Sequence, residues 1–139
     1  MTRAAAIRDP LRLQLDLRSG VPVYRQIMDQ VLAAVASGRL AEGDQLPTVR
    51  QLAVDLSINP NTVIRAYREL EIRGFLNTHQ GTGTFISNQR VEQDDAERRR
   101  KLDSIVSDCI ARAGAEGFTA RQVVDRLKEL LAEQKTRRT

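Results

Sequence analysis

Residues Asn59 to Leu70 read NPNTVIRAYREL. Val63, Ala66, Tyr67 and Leu70 recur at the three- and four-residue spacing of an amphipathic helix. Asn59 is a favoured N-cap type, and Pro60 suits the first helical position, where a missing N–H costs nothing. Gly74 stops the helix. With a step of about 100° per residue, Asn61, Arg65 and Arg68 fall roughly opposite Val63. One side of this helix is suited to a core. The other offers amide, hydroxyl and guanidinium groups, with no acid until Glu69.

A polar helix face is ordinarily just solvated, and Asn and Thr are common at helix starts for capping alone. The neighbouring segments suggest another use. Upstream, TVRQLAVDL is a second helix, with Thr48 as cap, Gln51 completing a capping box, and Val49, Leu52, Ala53 and Leu56 as its buried stripe. Ser57 and Ile58 leave room only for a tight turn. Downstream, the β-prone segments Phe75–His79 and Thr84–Ser87 flank a tip with Gly81 and Gly83, which predicts a hairpin. Two helices joined by a tight turn and followed by a hairpin are the elements of a winged helix-turn-helix.

The exposed side of the third helix then suits a DNA major groove. Asn pairs with adenine, Arg with guanine, and Thr meets a base edge or a thymine methyl. Asn61, Thr62 and Arg65, near the helix start, are expected at base edges, and Arg68, a turn later, on phosphate. Thr48 and Arg50 begin the second helix, where an N-terminus and a guanidinium suit a phosphate oxygen. From the residues alone, an ordinary cap and a surface charge explain this pair equally well. At the hairpin tip, Gly81 serves turn geometry and also lets the main chain approach a sugar-phosphate backbone.

Charge agrees in placement rather than in total. The chain has 139 residues and a net charge of +4. Residues 1–88 carry ten basic and eight acidic residues, and the remainder twelve and ten, so each part is +2. No acid lies between Leu56 and Arg68, nor between Ile72 and Val91. Those windows are where phosphate contacts are expected.

The rest of the chain completes the architecture. Residues 1–9 read as a disordered start. Leu11–Leu17 (LRLQLDL) alternates apolar and polar, which predicts a short strand. Pro22 opens a helix with the stripe Val23, Ile27, Val31, Leu32 and Val35, ended by Gly38. Ala41–Asp44 is a turn. Asn88–Ala96 reads as a linker or a fraying helix start. A fourth helix is expected from Arg98, with the stripe Leu102, Ile105, Val106, Cys109, Ile110 and Ala113. A fifth opens on a Thr119/Gln122 capping box, with Phe118 stapled onto Val123 and the stripe Val123, Val124, Leu127, Leu130 and Leu131. Residues 134–139 read as a polar tail. The fold class is mainly α with a small β-hairpin: a winged helix-turn-helix over residues 10–88, then a two-helix unit over 89–139.

Several chemistries are excluded. No cluster has metal-ligand spacing around the single His79, and Asp94, Asp95 and Glu97 read as solvated linker or cap. Ser57 and Ser104 have no triad partners that the sequence suggests. GTGT at 81–84 lacks the Lys-Ser/Thr of a phosphate-binding loop. No catalytic residue, metal or cofactor is therefore expected. Tyr24 and Tyr67 read as core. Cys109, the only cysteine, rules out an internal disulfide and reads as a packed small residue. With no long apolar run and no basic start leading into one, no membrane partner is expected, and a reducing cytoplasmic setting is. The run Arg98–Lys101 reads as a solvated face, with a minor role near DNA backbone as the other reading.

The runs VPVYRQI, GRLAEGDQLPTVRQLA, NPNTVIRAYRELEIRGFL and QGTGTF, in this order across Leu13–Ser87, resemble the GntR family of bacterial transcription regulators. The short two-helix tail resembles the YtrA-type subfamily. The resemblance implies a dimeric, sequence-specific DNA-binding regulator, most often a repressor. It implies DNA contacts from Arg50, from Asn59, Asn61, Thr62 and Arg65, and from Gly81. The family commonly has Ser where this chain has Thr48, and a basic residue near the wing tip, where this chain has His79-Gln80-Gly81-Thr82-Gly83. The wing contact then falls to Gln80 and Gly81.

The tail stripes Leu102, Ile105, Val106, Cys109, Ile110 and Val123, Val124, Leu127, Leu131 exceed what one small helix pair buries on itself. Pairing with a second copy is the favoured reading, because a two-fold protein matches a palindromic operator. Folding back onto the first domain is the other. Two further functions stay open: a protein-binding winged helix, and a sensor holding an effector at the dimer interface. The operator, the regulated genes and any effector cannot be read from these residues.

Overall fold

A computed structural model of the chain describes residues 11–88 and 94–138. The chain divides into two compact units that meet between Asn88 and Asp94. The expectation for residues 1–9 and most of the proposed linker lie outside the described residues.

The first unit contains α1 (Val23–Ala36), α2 (Val49–Leu56), α3 (Pro60–Ile72), β1 (Leu76–His79) and β2 (Gly83–Ile86). Its core is apolar throughout and draws on every element. Ile27, Met28, Val31 and Ala34 come from α1, Leu52 and Ala53 from α2, and Val63, Ala66, Tyr67 and Leu70 from α3. Leu76 and Ile86 close the hairpin side. The periodicity assigned the α3 face correctly; in α2 Val49 and Leu56 are only partly buried, and in α1 Ile27 and Val31 are buried, Val23, Leu32 and Val35 only partly, while Met28 and Ala34 join the core outside the expected stripe. Tyr67 is buried as expected, whereas Tyr24 is only half-buried.

The strand expected at Leu11–Leu17 is absent: the segment has no ladder partner. The alternation nevertheless sets its faces, since Leu11 is buried and Leu13 and Leu15 pack against the core. Two glutamines of α1 take the place of a neighbouring strand. The Gln14 backbone exchanges hydrogen bonds with the Gln30 amide at 2.9 and 2.8 Å, and the Asp16 backbone does so with Gln26 at 2.8 Å each way. Period two reports extended backbone with one buried side, which does not require a sheet.

Between α2 and α3, Ser57 is left-handed (φ 55°), the only described non-glycine residue with positive φ. Its neighbour Ile58 donates to Ala53 O at 3.0 Å, which ends α2 in a Schellman-type turn. β1 and β2 pair antiparallel from Leu76↔Ile86 to His79↔Gly83. The Ala41–Asp44 turn forms, and the residues after it join the hairpin. Leu46 N donates to Thr84 O (2.8 Å), Ile86 N donates to Asp44 O (2.9 Å), and Gln45 bridges Phe85. The wing therefore has a third edge that the sequence reading missed.

The second unit is the helix pair α4 (Asp95–Ala115) and α5 (Ala120–Arg138). α4 starts three residues before the expected Arg98, because the Asp94 side chain caps it at Ala96 N (3.3 Å). The Thr119/Gln122 box forms in full: Gln122 N donates to Thr119 Oγ1 (3.1 Å) and Thr119 N donates to Gln122 Oε1 (2.8 Å). α5 continues through Arg138, so the polar tail at 134–138 is part of the helix, as Gln, Lys and Arg allow. Cys109 is exposed in the single chain.

Candidate nucleic-acid interface

The start of α3 is built by its cap. Asn59 Oδ1 accepts from Asn61 N at 2.8 Å and leaves the Asn59 side-chain NH2 free of that contact. Pro60 follows at the first helical position. With Val63, Ala66, Tyr67 and Leu70 turned into the core, Asn61, Arg65 and Arg68 stand exposed at i, i+4 and i+7, a single stripe along the helix. Thr62 is half-buried at the edge of that stripe.

α2 is fixed relative to α3 by more than apolar contact. Tyr67, from within the core, donates its hydroxyl to Pro47 O at 2.7 Å. That bond holds the residue immediately before the α2 cap. Thr48 Oγ1 accepts from Gln51 N at 3.0 Å, so the cap forms. The expected box is only half made, because the Gln51 side chain turns away to Asp55 Oδ1 at 2.8 Å. Thr48 keeps a hydroxyl proton to donate, and Arg50 is exposed in the first turn of the helix. A helix N-terminus, a hydroxyl and a guanidinium are thus presented together, a combination suited to a phosphate.

Among the described residues, Arg50, Arg65 and Arg68 form no ion pair with a carboxylate. Arg65 has a different partner. Its guanidinium carbon lies 3.8 Å from the ring centroid of Tyr24 on α1. A cation over an aromatic face is held by about 0.5–1 kcal/mol at an exposed site, and the contact uses none of the arginine N–H donors.

The wing tip turns tightly, with Thr82 N donating to His79 O at 3.0 Å and Gly81 at φ 83°. Gln45 reaches across to Thr82 O at 3.1 Å. Gly83 stands at φ 134°, a conformation that favours glycine, and a Cβ there would also displace the end of the Gln45 side chain. Gln80 and Gly81 are exposed at the tip. The His79 ring packs beside Phe85, with 5.7 Å between centroids. No Lys or Arg stands between Gly74 and Asn88, so any wing contact is polar or main-chain rather than cationic.

Three features escaped the sequence reading: the Tyr24 ring beneath Arg65, the Tyr67–Pro47 tie, and Ile64. Ile64 lies on the exposed stripe between Asn61 and Arg68 and is 39% exposed. The helical wheel already placed it there; an apolar residue simply drew no attention as a contact. No group of three or more His, Cys, Asp or Glu side chains converges among the described residues. None of the described helices is long and apolar enough to cross a membrane.

In the second unit, Leu102, Ile105, Val106, Cys109, Val124, Leu127 and Leu131 are exposed, while Ile110 and Val123 are half-buried. The structure thus places the expected stripes on α4 and α5 but covers little of them.

Residues 23–86 match the model of the bacterial regulatory proteins of the gntR family. The HTH-type transcriptional repressor YtrA of Bacillus subtilis is 47% identical over 75 residues, covering 54% of this chain and 58% of the relative. The uncharacterized HTH-type transcriptional regulator YhcF of the same organism is 37% identical over 113 residues, 81% of each chain. Among solved structures, YtrA from Sulfolobus acidocaldarius, a GntR-family transcription factor, superposes with a TM-score of 0.54 at 33% identity, over 71% of this chain and 97% of that one. A capped recognition helix, a wing and this breadth of similarity agree: the chain belongs to the gntR family of bacterial regulatory proteins.

Proposed function

We propose that this protein is a cytoplasmic, dimeric transcription regulator that represses by occupying a palindromic operator. Asn61, Thr62 and Arg65 read base edges in the major groove. Thr48, Arg50, Asn59 and Arg68 hold phosphates, and Gln80 and Gly81 set the wing against the backbone. The tail stripes Leu102, Ile105, Val106, Cys109, Ile110, Val123, Val124, Leu127 and Leu131 join two copies. Their two-fold relation places two recognition helices in successive major grooves.

The observation that carries this reading is the set of exposed arginines, Arg50, Arg65 and Arg68, with no carboxylate partner among the described residues. A guanidinium left without an internal partner keeps its full attraction for an external anion. Arg65 must leave the Tyr24 ring to pair with a guanine. A good bidentate pair discriminates by about 1–3 kcal/mol, which exceeds the about 0.5–1 kcal/mol held by the ring.

The test is selection of duplexes from a random library, followed by binding titrations at several salt concentrations. The expected outcome is a two-fold symmetric consensus whose affinity falls steeply with salt. Arg65→Ala should relax preference at one position of each half-site. Arg50→Ala should weaken all sequences alike. Failure to enrich any duplex would overturn the reading, as would unchanged selectivity in Arg65→Ala.

A further inference from the structure

We infer that Ile64 is a specificity-determining residue that reads the C5-methyl of a thymine in each operator half-site. The inference rests on the DNA-binding reading above and assigns a residue that reading leaves unused.

The placement comes first. Asn61, Ile64, Arg65 and Arg68 occupy positions i, i+3, i+4 and i+7 of α3, one continuous stripe. With a step of about 100° per residue from Val63, Ile64 falls between Tyr67 on the core side and Arg68 and Asn61 on the outer side, at the border of the exposed stripe. It belongs to the second turn of the helix, within the N-terminal part that reaches base edges in this class of motif. It is 39% exposed.

The residue type is informative as well. An exposed isoleucine is a poor choice for a solvated helix surface. Its branched β-carbon lowers helix propensity, and its apolar surface gains nothing from water. Isolated exposed apolar residues are common and need no explanation by themselves. This one is flanked on its stripe by hydrogen-bonding and cationic groups. The thymine methyl is the most prominent apolar group in the major groove; cytosine offers only a C–H at the same place, and the other bases present mainly donors and acceptors. A branched aliphatic side chain therefore matches thymine best. Two other α3 side chains carry apolar groups outside the core: Thr62 is half-buried, and Ile72, 73% exposed, stands in the last turn, away from the N-terminal part that reaches base edges. Arg65, the next residue along the face, is drawn aside to Tyr24 and leaves Ile64 uncovered.

The test uses the full chain and the duplex it selects from a random library. Each thymine is replaced in turn by deoxyuridine, which removes only the methyl group. For wild type, one replacement per half-site should weaken binding about fourfold, the equivalent of one methyl group taken out of contact. Ile64→Ala should bind the thymine and uracil duplexes equally at that position, and Ile64→Val should retain most of the difference. Because Ile64 is exposed and Ala is the better helix former, Ile64→Ala should keep its thermal midpoint, so a loss of binding is not a loss of fold. The inference is overturned if the selected sequence has no thymine, if no deoxyuridine replacement affects wild type, or if Ile64→Ala shows the same loss as wild type. If no duplex is enriched at all, the DNA-binding reading itself fails, which is a separate and earlier result.

Discussion

The two units of this chain differ most in how they handle apolar surface, and less sharply in charge. In the first, fifteen apolar side chains are buried together, Arg25 pairs with Asp29, and Arg50, Arg65 and Arg68 face outward without carboxylate partners among the described residues. In the second, Lys101 pairs with Glu97, Arg121 with Asp125, and Arg126 with both Glu129 and Glu133, while Arg98, Arg99, Arg100, Arg112 and Lys128 carry no ion pair among the described residues. The hydrogen bond to Glu129 holds the Arg126 pKa above its ordinary value. Apolar side chains are what this unit leaves uncovered, with Ile105 64% and Leu131 57% exposed. The first unit covers its apolar side chains and presents arginines suited to an external anion; the second leaves an apolar surface suited to an external apolar partner. That contrast supports the proposal that binding and assembly fall to different parts of the chain.

The largest expected effect is in the first core. Leu70, fully buried where α3 meets the other elements, should cost about 2–5 kcal/mol as Leu70→Ala, read as a fall in denaturant midpoint. Ile105→Ala in the tail should leave the folding of a single chain nearly unchanged, because its side chain is already in water. Equal losses at the two sites would mean that the tail stripe is internal core.

Ile105→Asp combined with Leu127→Asp asks what covers that stripe. If a second copy does, sedimentation should show dimer converting to monomer. Operator affinity should fall about a hundredfold, because two half-sites no longer bind as one. A variant that remains dimeric would move the interface elsewhere.

A smaller effect separates the two kinds of cation. Arg50→Ala should reduce the slope of log affinity against log salt by about 1.8, the share of two phosphates, one from each copy. Arg121→Ala removes a cation already matched to Asp125, and its slope should stay that of wild type. Parallel slopes for all three proteins would remove the distinction between free and matched arginines.

Much of this contrast was legible in the residues, for a physical reason. Helical periodicity reports which side of a helix is apolar: the α3 stripe turned inward as written, the α2 stripe with Val49 and Leu56 only partly buried, and the α1 core face is shifted to include Met28 and Ala34. It does not report what lies opposite. The Leu11–Leu17 alternation gave the right faces and the wrong partner, because side-chain amides of Gln26 and Gln30 bond an extended backbone as a strand would. Asp44–Leu46 joins the wing through backbone groups, which leave no mark on residue type. Arg65 was recognised as exposed, but its position over Tyr24 depends on how α1 crosses α3, a tertiary fact. Ile64 is the opposite case. Its place at the border of the exposed stripe follows from the spacing, but an apolar side chain offers no hydrogen bond by which residue type alone would mark a base contact.

The smallest predicted change concerns the turn that joins α2 to the recognition helix. Ser57 occupies the left-handed region, where a Cβ crowds the following carbonyl. Glycine removes that strain but adds freedom to the unfolded chain, and the two terms partly cancel. Ser57 is exposed, and its backbone N–H donates to Val54 O at 3.1 Å. A glycine can keep that bond. Ser57→Gly should therefore stabilise the first unit by about 0.5 kcal/mol, seen as a slightly higher denaturant midpoint. Its effect on operator affinity should be nil, because the turn geometry that orients α3 is unchanged. A stabilised variant that bound DNA less well would show instead that the Ser57 hydroxyl itself touches the duplex, and would extend the reading surface from α3 back into the turn.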